Sequence, residues 1–376
     1  MTYGENALLA LNTINRVPTD GIPIGSMNFM EHSIIERLAD AEPESYRNDP
    51  YDVYTKALEN IGCCMVSQYI PTNPLTMGDR GYESHTVGAP IGETYVDGIL
   101  IVSPESVAEH IESIEIPRYL EAHDRFDPLL VEQEAINHES QMQKTLGPNI
   151  LKVGYGQLHF PMFGYYTYGY ENYFAAFALF PELIDKFFSV QADYFKKHNA
   201  AVVKGYQRAN LPLYHLLDHD MADSRGLLTG LKPLERSWLP CFERCIQPAV
   251  NADFTLLWHC DGNLMELIPP LLECGVNGFQ GFQYEDGMDY ISICKMKTKD
   301  GRSLVIEAGV SVTRELPYGS PADINNQIKF LVENGPKTGL TLQLSSSCTP
   351  GTPWVNIKKC IEALKHYKTH GRKGVN

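Results

Sequence analysis

Positive charge is scarce in this chain. Lysine and arginine number 31 against 46 aspartates and glutamates over 376 residues, which leaves a net charge of −15. A chain so acidic, with no basic stripe, makes a poor partner for nucleic acid. It also repels a polyanionic ligand unless arginines gather locally, and its 13 arginines are scattered. No run of ~18 uninterrupted apolar residues occurs, so no membrane span is expected. "MTYGENALLALNTINRVPTDG" carries Glu5 and polar breaks where a secretory leader would be apolar. The nine cysteines, an odd number, suit free thiols in a reducing compartment better than a disulfide framework. A cytoplasmic protein is therefore expected. A Gly-x-Gly-x-x-Gly turn after the first strand is also missing, and with it the signature of a dinucleotide-binding open sheet.

What is present is a core. Hydrophobic residues make up 43% and charged residues 20%, ordinary values for a large globular domain. The pattern reads as a short helix over Glu5–Asn15 and a strand over Gly21–Phe29. Helix "EHSIIERLAD", helix "DPYDVYTKALENIG" and strand "CCMVSQYI" (Cys63–Ile70) follow. The stretch from Pro71 to Ser103 is rich in turn residues and reads as inserted hairpins. Six further strands are expected in "LKVGYGQLHF", "LPLYHLLDHD", "FTLLWHCD", "VNGFQGFQ", "SLVIEAGV" and "GLTLQLSSS". Helices accompany most of them, among them "NLMELIPPLLECG", expected to kink or break at Pro269–Pro270. Eight short apolar strands alternating with helices predict an α/β protein. Residues 1–376 are expected to form a single (β/α)₈ TIM barrel with N-terminal helices and a β-hairpin insertion after the second strand.

In such a barrel chemistry sits at the carboxyl ends of the strands. "LLWHCD" ends there. Alternation places Leu257, His259 and Asp261 on one face and Trp258 and Cys260 on the other. With the first set toward the axis, an imidazole and a carboxylate line the mouth. In the preceding strand Tyr214, Leu216, Asp218 and Asp220 share a face, with His215 and His219 opposite. Several acids at one strand end require a cation, a proton or a hydrogen-bonding substrate to compensate them. Cys348 follows the last strand at the same end, and a set of His259, Asp261 and Cys348 could bind Zn²⁺. Cys241 and Cys245 lie one helical turn apart and read as helix-face thiols, and Cys63–Cys64 as packing residues. The tyrosines of "FGYYTYGYENYF" either wall an aromatic pocket or pack a surface loop.

The order of these motifs resembles the uroporphyrinogen decarboxylase superfamily. "ENALLALNTINRVPTDGIPI" is similar to its opening helix and first strand. "HDMADSRGLLTGLKPLERSWLPCFERCIQPA" with "LLWHCDGNL" resembles its central acidic loop, helix and His-x-x-Gly-Asn strand end, and "GTPWVNIKKCIEAL" its last helix start. The likeness spans nearly the whole chain and is strongest from Asp218 to Asn263. It implies a (β/α)₈ barrel with its site at the carboxyl face. The tetrapyrrole decarboxylases of the superfamily carry an arginine-rich loop after the first strand and an aspartate after the second. "GSMNFMEHS" and "MVSQYIPTN" have neither, and a substrate with many carboxylates needs cationic clamps. The cobamide-dependent methyltransferases bind zinc through a His-x-Cys on this strand and a later cysteine. His259 matches that histidine, Asp261 stands where the cysteine would be, and Cys348 and Ser346 lie near the later position.

Three readings follow. The resemblance implies a corrinoid-dependent methyltransferase acting on a small methylated compound, with a corrinoid (cobalamin-type) cofactor carried by a partner protein and zinc on His259, Asp261 and Cys348. The second reading is a metal-free decarboxylase or lyase in which Asp220 and His259 manage a proton on a carbanion. The third is a non-catalytic corrinoid- or tetrapyrrole-binding module. Catalytic candidates are Asp220, His259 and Asp261, and substrate-binding candidates are Asp218, Tyr214 and Gln157.

Overall fold

The computed structural model describes residues 2–72, 89–90 and 92–373. At its centre is a parallel sheet with strands Gly154–Tyr155, Tyr214–Asp218, Thr255–His259, Gly278–Gly281, Val305–Val310 and Leu340–Leu344 hydrogen-bonded in chain order. Met65–Val66 pairs in parallel with Leu151–Lys152, which leads directly into Gly154–Tyr155. The remaining gap is bridged by the segment around Ile24. Gly25 N–H donates to Leu342 O at 2.9 Å, and Cys64 N–H donates to Ile24 O at 2.8 Å. Hydrogen bonds thus link eight segments into a ring, in the order expected for a (β/α)₈ barrel. The first segment is shorter than expected: it holds isolated bridges at Ile24 and Phe29 in place of a strand over Gly21–Phe29.

Two apolar clusters follow from alternation along these strands. Leu151, Val153, Leu216, Leu257 and Val305 face inward, and Ala7, Ala10 and Ile14 of helix Glu5–Ile14 pack onto them. Trp258, Leu256, Ile306, Ala308 and Leu342 belong to the larger cluster shared with the surrounding helices. The longest of those helices, Pro181–Ala209, buries Ile184, Phe187, Phe188, Gln191, Ala192 and Phe195, a repeat of three and four residues that makes one apolar stripe. It ends where Asn210 adopts a left-handed conformation, φ 51°.

The prolines behave differently from the expectation. Pro269 and Pro270 do not break a helix but start one, Ile268–Cys274, in whose first turn an amide N–H is not needed. Pro240 and Pro117 each stand just after a π-helical turn, Leu234–Trp238 and Ile111–Glu115. Widening the turn accommodates a residue that lacks the N–H and whose ring would crowd the preceding carbonyls. A hairpin, Thr94–Val96 with Ile99–Ile101, is present in the expected insertion, and residues 73–88 and 91 of that stretch lie outside the described residues. The tyrosine-rich stretch forms helices Tyr165–Tyr168 and Tyr170–Leu179 where a surface loop was one expectation. All nine cysteines are free. Among the described residues no helix is long and apolar enough to cross a membrane.

Candidate functional site

Strands Tyr214–Asp218 and Thr255–His259 lie side by side, with Asp218 opposite His259 in the register. Both side chains face the axis, and Asp220 joins them just beyond the strand end. Ligand-type atoms of Asp218, Asp220 and His259 all lie within 4.8 Å of one another. Asp261 Oδ1 stands 3.9 Å from His259 Nε2. The cluster is held by its surroundings. Asp261 N–H donates to Asp220 Oδ1 at 2.7 Å, and Ser346 Oγ donates to Asp261 Oδ2 at 3.3 Å. Tyr155 Oη donates to Asp218 Oδ2 at 3.0 Å and accepts from Gln68 Nε2 at 2.9 Å. Trp258 points the other way, against Phe160, Trp238 and Phe242 at 5.3–5.7 Å between ring centroids. The alternation expected along "LLWHCD" is the one observed.

Gly262, which ends this strand's loop, has φ +86°, and a Cβ there would meet the Asp223 backbone at 2.7 Å. Glycine is required at that turn. Gly262 N–H donates to Gln283 Oε1 at 2.8 Å, which ties the loop to the next strand end.

Charge sets the protonation states. Burial alone would discharge His259, but Asp218, Asp261 and Asp220 together outweigh it and lift the imidazole to about 9. Burial, helped by the neighbouring carboxylates, raises Asp218 and Asp261, and the imidazolium offsets only part of that rise. The mouth therefore holds a protonated histidine among carboxylates. A cavity of about 720 Å³ opens over it, lined by Asp261, Tyr166, Gln283, Thr313, Tyr318 and Ser346 among others, with no lysine or arginine in its wall among the described residues.

Other sequence candidates fall elsewhere. Tyr214 faces inward but lies four residues below Asp218, ~13 Å at strand rise, where its hydroxyl bonds Glu307 Oε1 in the fully buried interior. Gln157 turns away from the mouth. The strand stops at Tyr155, the chain turns at Gly156 with φ +72°, and the Gln157 side chain meets His138 Nδ1 at 3.3 Å. Tyr155 occupies the position at the acid cluster instead. Cys348 is not brought to His259 and Asp261: among the described residues it joins no group of ligand-type side chains. Its backbone pairs with the segment around Phe29 (Cys348 N–H to Asn28 O, 2.8 Å). The side chain is buried and the thiol pushed up to about 11 by that burial.

Glu307 escaped the sequence reading. It faces the barrel axis, fully buried, and burial holds its carboxyl up at about 7 while the hydrogen bonds from Tyr214 and Gln343 and the charge of His259 pull it down. Its signal was available: a lone acid inside the apolar run "SLVIEAGV", whose strand is buried at every position.

No protein-family model and no curated protein sequence matches the chain. Among solved structures it is similar to a methyltransferase from Methanosarcina mazei, at 13% identity and TM-score 0.57, over 96% of this chain and 98% of that one. It is also similar to a B12-independent methionine synthase from Shewanella sp. W3-18-1, solved with selenomethionine, at 10% identity and TM-score 0.48, over 94% and 98% of the two chains. That second overlap is too loose to argue from. The first shows the fold.

Proposed function

We propose that this protein is a methyltransferase that moves a methyl group from a small methylated compound, with a divalent cation held by Asp218, Asp220 and His259. The observation that carries the reading is the convergence of those three side chains within 4.8 Å at the strand ends, in a barrel whose fold is that of a methyltransferase along nearly its whole length. One nitrogen and two carboxylate ligands fit zinc or a harder divalent ion, with open positions for a reactant. The set with Cys348 does not fit, because that thiol is turned into the core. Bound there, the cation would stabilise the thiol or hydroxyl of the small compound as its anion, the leaving group when the methyl passes to a corrinoid and the acceptor when the transfer runs the other way.

The chain's own residues supply the rest. Tyr155 and Gln68 orient Asp218. The Asp261 amide and Ser346 orient Asp220 and Asp261 respectively. His259 must release its proton before it can ligate, so metal affinity should climb as pH approaches 9. A corrinoid protein as the methyl carrier rests on the superfamily resemblance, and the open 720 Å³ mouth is where it would dock. The wall of that mouth carries Asp261 and no cation among the described residues. A uroporphyrinogen-type polyanion would therefore meet like charge, at roughly 4 kcal/mol per unscreened contact at ~4 Å and an effective dielectric of ~20.

The test is metal analysis coupled to methyl transfer. Purified protein is expected to bind about one equivalent of zinc, to lose it in His259→Ala, and to methylate or demethylate free cobalamin only when loaded. Full methyl transfer by metal-free protein would overturn the cation, and a metal-free protein that transfers no methyl but releases CO₂ from a carboxylate substrate would favour the decarboxylase reading. The protonated imidazole itself favours that alternative, since it could deliver a proton to a carbanion.

A further inference from the structure

A second chamber lies on the barrel flank, between the 156–162 segment and helix Pro181–Ala209, with a volume of about 600 Å³. Its walls include Tyr119, His159, Tyr194 and Phe195, and its inner end reaches Tyr155 and Asp218, the edge of the acid cluster. It therefore reaches the strand end that carries the acid cluster and shares no wall residue with the mouth over Asp261. Three features define what it suits. The first is aromatic: Tyr119 and Phe195 meet edge-on at 5.5 Å, and His159 stacks on His198 at 4.1 Å with rings 10° apart. The second is neutrality. Burial holds His159 down at about 4 and lowers His198 as well, and no lysine or arginine lines the chamber among the described residues. The third is an unmet hydrogen bond. Gln191 lines the chamber and is 6% exposed, and its Oε1 has no partner. A buried acceptor left unpaired is costly, so a ligand donor that draws the Gln191 amide round to it gains what the protein alone does not satisfy.

We propose that this chamber is the subsite for the body of the substrate, and that the body is uncharged and aromatic with one hydroxyl or N–H donor aimed at Gln191 Oε1. The assignment to the substrate rests on the proposed function of the Asp218, Asp220 and His259 cluster. The volume suits a ligand of one or two rings. In the metal-free protein a carboxylate or phosphate would face Asp218 with no lysine or arginine in the chamber wall among the described residues.

Calorimetric titration of the metal-free full chain with phenol, benzene, benzoate and benzyltrimethylammonium tests it. Phenol should bind roughly tenfold more tightly than benzene, the worth of one buried hydrogen bond, and benzoate should not bind. Gln191→Leu should abolish the preference of phenol over benzene while benzene still binds. His198→Trp, which fills the chamber from its half-exposed rim, should weaken both and serves as the arbiter if Gln191→Leu does not fold. Failure of phenol to bind overturns the proposal. So does tighter binding of benzoate or the ammonium, an unchanged phenol-to-benzene ratio in Gln191→Leu, or unchanged affinities in His198→Trp. His259→Ala, outside the chamber wall, should leave phenol binding intact. Methyl transfer without phenol binding would sink the chamber alone, and phenol binding that follows Gln191 without methyl transfer would sink the proposed function alone.

Discussion

Three histidines on two neighbouring strands and their ends are held in opposite states. His259 faces the barrel axis among carboxylates and is lifted to about 9. His215 and His219, on the outward face of the adjacent strand, are driven down to about 3 by burial among apolar groups. Their hydrogen bonds agree. Nε2 of His215 accepts from the Gln157 and Leu158 amides, at 3.0 Å each, and Nε2 of His219 accepts from Phe163 N–H at 2.8 Å. An imidazole that accepts must be neutral, and one surrounded by carboxylates must be charged. Residue type does not decide the role here. The side of the strand does, since successive side chains point to opposite faces.

The sharpest way to break this comparison is at His259. His259→Ala should lower methyl transfer on the order of 10²–10⁴-fold while leaving thermal stability near that of the parent, as read by kinetics beside calorimetry. Comparable loss of stability and activity would make it a structural histidine like the other two.

Next in size is the outward face. Trp258→Ala empties a site packed against Phe160, Trp238 and Phe242 and should cost about 3–5 kcal/mol in chemical denaturation. His215→Leu keeps the volume but orphans two amide donors, so a loss of about 1–3 kcal/mol is expected at neutral pH. The same variant should show less acid lability. The folded pKa of His215 lies below the unfolded value of ~6.5, so the unfolded chain takes up the proton first. The stability owed to the neutral ring is complete above ~6.5 and is lost as pH falls toward 3. Denaturation midpoints of parent and variant should therefore converge through that window, and parallel curves would refute the assignment of a neutral His215.

A smaller effect tests the charged side. In metal-free protein Asp218→Asn removes the first of the carboxylates that hold His259 up, so its imidazole should titrate at lower pH by NMR. An unmoved titration would mean that Asp218 does not act on it. Smallest is Ser346→Ala. It deletes one long hydrogen bond to Asp261 and should change activity no more than about tenfold, about 0.5–1.5 kcal/mol.

How much of this was legible beforehand differs by residue. His259, Asp261, Asp218 and Asp220 could be placed from period-two alternation at a strand end, and the structure puts all four at the mouth. Gln157 could not, because one glycine at φ +72° ended the strand at Tyr155, short of the Phe160 that its apolar pattern suggested. Tyr155, at the position that matters, looked like an ordinary strand aromatic. Cys348 shows the opposite failure. Nearness in sequence to a strand end put it beside the site, whereas pairing of its backbone with the segment around Phe29 turned it into the core.

By itself the sequence determined the alternation of apolar strands and helices, the face on which most strand residues sit, and the net acidity of the chain. Those are local properties: period, propensity and composition act within a few residues of the chain. Only the tertiary structure decided which side chains meet. Asp218 opposite His259 is a matter of register between strands 41 residues apart. The Cys348 pairing joins positions 319 residues apart, and the flank chamber exists only because helix Pro181–Ala209 packs beside the 156–162 segment. Contacts of that span are set by packing and by ring closure of the sheet, which no window along the chain contains.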